Sequence, residues 1–214
     1  MSDQIDRAYQ QLKIDVDMVL RGQGADPAII RQRRPRLVEL AEQALVEGMQ
    51  LIQPVATYRI LPVQEMGLES FMLADKVWLT GSFVAQHLAG AQHIIVLVCT
   101  LGPGLENRIT ALSQDNPAYT FALDSFGSAA AKALRVAICA ELEADAQISG
   151  LHTSIPLYPG MTDWPIEVGQ PQIFAVLDAT RIGVSLNESA LMIPRKSISL
   201  LMGMSQYSFS ASSL

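Results

Sequence analysis

Leu37, Leu40, Ala41, Ala44, Leu45 and Ile52 recur at three- and four-residue spacings, one apolar stripe on a helix of about five turns. Pro35 fits its first turn, where a missing N–H costs nothing. Gln53-Pro54 ends it, because the residue before proline is pushed out of the α region. The first ~53 residues as a whole read as helical. The period then changes. Val55 to Leu61 is rich in β-formers and predicts a strand, and Phe71 to Trp78 a second extended stretch. Gly81-Ser82 predicts the cap of a short helix through Leu88, the serine oxygen accepting from an early backbone N–H.

His93 to Thr100 is a continuous apolar run, which predicts a strand covered on both faces. Leu101-Gly102-Pro103-Gly104 turns the chain into a helix from about Leu105. Asn116-Pro117 marks the next helix start, a cap residue followed by proline. That helix carries Phe126, Ala130, Leu134, Ile138 and Leu142 on one face and is dense in alanine, so it can approach a sheet closely; Gly150 ends it. In the last third, Leu151 to Leu157 predicts a strand, followed by a loop rich in proline and glycine through Pro171. Gln172 to Thr180 predicts a short helix. Leu191 to Ile193 and Ser197 to Met202 predict paired strands, and the tail after Met204 is expected to fray. Helices first, then strands around one long helix, predict an α+β fold rather than regular βαβ winding.

Composition narrows the class. Half of the 214 residues are hydrophobic and 17% are charged, which excludes a disordered chain and supplies a sizeable core. A net charge of −6 argues against nucleic-acid binding, which draws on a basic footprint. No apolar run approaches the ~20 residues that span a bilayer, and the opening residues lack the basic and apolar regions of a signal peptide. Cys99 and Cys139 lie far apart and form no CxxC pair, so they read as buried thiols rather than a disulfide or redox pair, and the chain is expected to be cytoplasmic. Three histidines with no HExxH or Cys/His cluster give no protein-ligated metal.

Little announces a catalytic centre. The Leu101–Gly104 turn matches neither GxGxxG nor the Walker pattern, and Pro103 removes a donor, so a tight turn is the better reading. Arg31, Arg33, Arg34 and Arg36 cluster at a helix start, where the dipole disfavours cations. They read as a solvated face or as a docking patch for an acidic partner, where rim charges raise on-rates. The informative segment is the stiff loop Tyr158-Pro159-Gly160-Met161-Thr162-Asp163-Trp164-Pro165. A carboxylate can accept ribose hydroxyls and an indole can stack on a purine, so Asp163 beside Trp164 suits a nucleoside; a buried tryptophan with a capping aspartate is the plainer alternative. Asp163, Glu167, Lys196 and Ser197 supply acid, base and nucleophile types, but such residues occur in almost any chain.

The order of short motifs is more specific than any one of them: Val19-Leu20-Arg21, Leu79-Thr80-Gly81, Thr100-Leu101-Gly102, Leu123-Asp124-Ser125, the proline-glycine loop, Ile182-Gly183-Val184-Ser185-Leu186-Asn187-Glu188-Ser189, and Pro194-Arg195-Lys196-Ser197-Ile198-Ser199. In this the chain resembles the activation domain of cobalamin-dependent methionine synthase, and more closely the small stand-alone proteins of that superfamily. The resemblance covers nearly all of residues 1–214 as a single domain.

The resemblance implies a curved, mostly antiparallel sheet packed with helices. It also implies S-adenosylmethionine bound in a shallow groove, here at Tyr158, Pro159, Gly160, Met161, Asp163 and Trp164. Cobalamin would be carried by a corrinoid-binding methyltransferase partner, with a flavodoxin-like protein as electron donor. In the family's Arg-x-x-Pro-Gly-Tyr pattern, Pro156 here takes the arginine slot and Met161 the tyrosine slot. Arginine offers fixed charged donors to a carboxylate; losing one such contact costs about 1.5–3 kcal/mol. The expectation is an accessory protein for reductive reactivation, or a docking module that keeps the fold without the ligand.

Overall fold

A computed structural model describes residues 3–24 and 26–209. The first structured segment is a strand, β1 (Ile5–Ala8), rather than part of a helical region. Its backbone pairs antiparallel with the start of a later strand, Ile5 opposite Tyr58 and Ala8 opposite Val55. The four residues are too few to show a period, and a distant partner in sequence decides their state. Helices α1 (Val16–Gly22), α2 (Pro27–Arg33) and α3 (Pro35–Leu51) follow. Asp15 and Asp26 cap the first two through their carboxylates, and prolines open the second and third. The α3 stripe is buried as its spacing requires: Leu40, Ala41 and Ala44 lie in the core, with Leu37 and Leu45 packed against it.

Strand β2 (Val55–Met66) outruns its predicted end by five residues and turns back into β3 (Ser70–Leu73). A 3₁₀ turn with Asp75 and Lys76 at positive φ then leads into β4 (Val77–Thr80), so the stretch 71–78 is a hairpin rather than one strand. Helix α4 (Ser82–His87) starts where predicted but without the serine cap: Gly81 holds the cap position, and Ser82 Oγ instead donates to Asp163 Oδ2 at 3.3 Å. Strand β5 (His93–Thr100), helix α5 (Gly104–Leu112) and helix α6 (Pro117–Ile148) match expectation, the last capped by Asn116 Oδ1 accepting from Tyr119 N–H at 3.2 Å.

With β6 (His152–Thr153) and β9 (Ser197–Ser205), the main sheet has seven strands among the described residues, in the order β4-β3-β2-β5-β9-β6 with β1 beside β2, and every pairing is antiparallel. It is curved, packed with helices, and α+β in class. β5 shows why its sequence is apolar throughout. Ile95, Leu97 and Cys99 face a core formed with α1, α3 and α6, while Ile94, Val96 and Val98 face a second core that holds Trp164, Ile173 and Leu88. Side chains of period two thus enter two separate cores.

The C-terminal third departs most from its predicted elements. The strand expected over 151–157 is only β6 (His152–Thr153), with a single later bridge from Leu157 to Leu201. Between them Ser154 Oγ accepts from Gly203 N–H at 2.8 Å, taking a ladder bond with its side chain, and Pro156 has no N–H to give. Helix α7 (Ile166–Val176) begins six residues early and runs through Pro171; a 3₁₀ turn, Ala179–Ile182, follows. Met192–Ile193 (β8) pairs with Ser185–Leu186 (β7), not with β9 (Ser197–Ser205), which lies between β5 and β6. β9 outlasts its predicted end at Met202, and the expected fraying of the tail falls partly outside the described residues. Both thiols are free, Cys99 buried as expected and Cys139 only half-buried; burial pushes Cys99 up to about 12, so it stays protonated at neutral pH.

Candidate functional site

The proline-glycine segment folds as a tight hairpin at the edge of the sheet, between Leu157, seated in the second core, and the start of α7. Its backbone bonds close on themselves: Met161 N–H donates to Tyr158 O (3.1 Å), Trp164 N–H to Met161 O (3.0 Å) and Gly160 N–H to Trp164 O (2.7 Å). The positive φ of Gly160 (97°) and Asp163 (56°) allows the turn. Tyr158 N–H points at Met161 Sδ, 3.2 Å away. The N–H groups of residues 158, 160, 161 and 164 are thereby spent within the hairpin.

The indole of Trp164 faces inward. It is fully buried, donates from Nε1 to Gln172 Oε1 at 3.2 Å, and lies against Gly81 and Gly169, where any added Cβ would sit 3.1 and 2.7 Å from the ring. The stacking role drawn from the sequence needs an open ring face, and this one has none; the plainer alternative of a buried tryptophan describes it. Asp163 is exposed, held by Ser82, and points away from that core.

The hairpin is tied to the long helix. Arg135 Nη1 donates to the Tyr158 hydroxyl at 2.6 Å, with the guanidinium carbon 5.9 Å from the ring centroid. Burial raises the Tyr158 phenol above its ordinary range, against the opposing pull of Arg135, so the hydroxyl remains protonated at neutral pH. Arg135 is the guanidinium bonded to the loop in which Pro156 leaves the arginine slot empty. Tyr158→Phe should cost about 1 kcal/mol of unfolding free energy in urea titration, the value of one part-exposed hydrogen bond. No measurable loss would mean the tie is not formed in solution.

One turn away on α6, Lys132 and Val136 line a cavity that the sequence did not reveal. It has a volume of about 730 Å³ and lies between the segment leading through α1 and the exposed flank of α6. Its floor is small and apolar (Ala129, Ala133, Ala137, Val136, Met18), and Lys13, Arg21 and Lys132 stand around it. Gly22 keeps the two helices close: a Cβ there would meet Ser125 O at 3.1 Å. Small residues at 129, 133 and 137 recur every four positions, a signal that was present in the sequence but read only as close packing against the sheet.

The four arginines of the basic cluster separate. Arg31 pairs with Asp17 at 2.6 Å and Arg36 with Glu39 at 2.8 Å, whereas Arg33 and Arg34 make no ion pair among the described residues. Lys196 pairs with Asp124 and Ser197 Oγ donates within the buried end of β9, so neither is a free nucleophile or base. Among the described residues no group of three His, Cys, Asp or Glu could hold a metal, and no helix is long and apolar enough to cross a membrane.

No family profile and no curated protein sequence matches the chain. Its fold does match a solved one. The crystal structure of the MetH reactivation domain bound to AdoHcy superposes with a TM-score of 0.71, covering 100% of this chain and 80% of that one at 15% sequence identity. At that identity the similarity is one of fold.

Proposed function

We propose that the protein is an accessory component of a cobalamin-dependent methyltransferase system of the methionine synthase type, acting in reductive reactivation. In this reading it binds an adenosyl compound, S-adenosylmethionine or its thioether product, beside a corrinoid-carrying partner, with a flavodoxin-like protein supplying the electron in the cytoplasm. The observation that carries it is the whole-chain correspondence of fold with a reactivation domain that holds AdoHcy.

The groove between α1 and α6 is one of several cavities with room for such a ligand, since small-molecule sites run from about 300 to 1,000 Å³. Its alanine floor suits a flat base, and the hairpin of Tyr158, Pro159, Gly160, Met161, Asp163 and Trp164, tied to the same helix through Arg135, is the second candidate contact for the ligand. There Asp163 offers an exposed carboxylate for hydroxyls, and Trp164 supports the hairpin from beneath. Arg33 and Arg34, having no ion pair, offer charge to an acidic partner.

Equilibrium dialysis of labelled S-adenosylhomocysteine and S-adenosylmethionine against the full chain tests the reading. Saturable binding below millimolar concentration is expected, and Ala133→Trp, which fills the groove, should abolish it. Absence of saturable binding of either compound at millimolar concentration would remove the adenosyl ligand. The second reading, a docking module that keeps the fold alone, would then stand. It is favoured by the sealed Trp164 indole and by Pro156.

A further inference from the structure

Pro156 leaves its position beside the hairpin without a side-chain donor, yet a guanidinium stands on the same side of the sheet. Leu157 bridges Leu201 and enters the second core, so residues 156 and 158, one step to either side of it, turn toward α6. Tyr158 accordingly packs against the first core, and its hydroxyl accepts from Arg135 Nη1 at 2.6 Å. Two donors are then left over. The phenol passes its own proton to no acceptor among the described residues. The guanidinium makes no ion pair among the described residues, and the turns of α6 on either side of it, Ala-Lys-Ala-Leu-Arg-Val-Ala-Ile-Cys over 131–139, hold no acid. The other titratable groups near Tyr158 are the thiols of Cys99 and Cys139, both pushed up by burial and so uncharged at neutral pH. Arg135 and Tyr158 are half-buried, so the cation is less screened than one on the open surface. The junction of α6 and the hairpin is thus rich in donors and lacks an acceptor.

We infer that Arg135 and the Tyr158 hydroxyl together bind the amino-acid carboxylate of the adenosyl ligand, so that α6 supplies the guanidinium that position 156 cannot. An ionised carboxylate only accepts, and both groups only have protons left to give. The planar fork of arginine suits such a partner, with further N–H groups free once one has gone to the phenol. Tyr158 then has two duties, fixing the guanidinium and adding a neutral donor beside it. The inference rests on the reading that the protein binds an adenosyl compound, with the hairpin as its contact. Within that reading it assigns the end of the ligand that is selected: the amino-acid arm, through its carboxylate, rather than the sulfur or the base.

The test is calorimetric titration of the full chain with S-adenosylmethionine and with decarboxylated S-adenosylmethionine, which differ by that carboxylate alone. The native chain should prefer the first by roughly ten- to hundredfold, the value of one charge-assisted bond. This comparison needs no variant to fold. Arg135→Gln should erase the preference by bringing S-adenosylmethionine down to the level of its decarboxylated form. Arg135→Lys, which keeps the charge without the fork, should restore part of it. Tyr158→Phe should narrow the preference without erasing it. Equal binding of the two compounds by the native chain overturns the inference and leaves the adenosyl reading standing. So does a loss in Arg135→Gln shared equally by both compounds, which would make Arg135 a support of the hairpin and nothing more. Absence of binding of either compound to the native chain overturns the inference together with the reading beneath it.

Discussion

Trp164→Ala should lower the unfolding free energy by about 3–5 kcal/mol, the range for deleting a large buried aromatic. The indole is fully buried in the core beneath the sheet, beside Ile173, Leu157 and Val98. Its niche is lined by two glycines, Gly81 and Gly169, whose missing side chains are the space the ring occupies. Collapse around the deletion is limited, because a backbone flanked by glycine offers no side chain to swing into the void. The ring N–H also leaves. Gln172 Oε1 then keeps only the weak 3.3 Å bond from Thr80 N–H, although its Nε2 still donates to Thr80 Oγ1 at 2.7 Å. Trp164→Phe retains much of the area and forfeits that bond, so its cost should be roughly 1–2 kcal/mol. Urea unfolding followed by circular dichroism measures both. A loss under 1 kcal/mol for the alanine variant would show that the indole does not hold the hairpin to the core.

Gly104→Ala is the second large effect, and its cause is space rather than backbone conformation. A Cβ at position 104 would stand 2.4 Å from the carbonyl oxygen of Leu51, at the end of α3. Neither atom is at the tip of a flexible side chain, so α3 and α5 must separate. The junction is further pinned by Gln53 N–H donating to Leu101 O at 2.8 Å. The cost should reach the upper end of the about 1–3 kcal/mol seen for overpacking, or exceed it. Gly102→Ala is the control. Its φ of +75° strains any other residue, but the nearest atom to its Cβ is 3.4 Å away, so about 1 kcal/mol is expected. Thermal unfolding of the two variants should therefore rank Gly104 well below Gly102 in stability. Reversed ranking would mean that the α3–α5 contact yields easily. The Leu-Gly-Pro-Gly turn is thus a packing device, consistent with its mismatch to phosphate-binding patterns.

Elements governed by their own residues were legible from the chain. The α3 stripe, the Asn116-Pro117 start of α6, its buried face and the double-sided strand β5 follow from spacing and caps, which act within a few residues. Elements decided by distant partners were not. β1 exists because β2 offers it an edge, β9 is long because β5 lies alongside it, and Met192–Ile193 takes the nearer strand Ser185–Leu186. The helix placed at 172–180 lies at 166–176 because Pro165 supplies the extended residue that opens it, while Pro171 misled as a breaker. The proline-glycine segment folds as a closed hairpin at 158–164, and the direction of Trp164 depends on Gly169 and on Gly81, the latter far from it in sequence. The groove escaped notice for the same reason: Arg21 and Lys132 line one cavity only because Gly22 lets α1 approach α6.

Helix α6 runs unbroken for 32 residues, about 48 Å of rise. Lys132, at the groove, and Arg135, bonded to the Tyr158 hairpin, lie on a single turn near its middle, remote from either fraying terminus. Such a rod transmits displacement without a joint to absorb it. Lys132 and Arg135 are accordingly held at a fixed offset by the backbone of one turn, as two brackets on one beam keep their spacing wherever the beam lies.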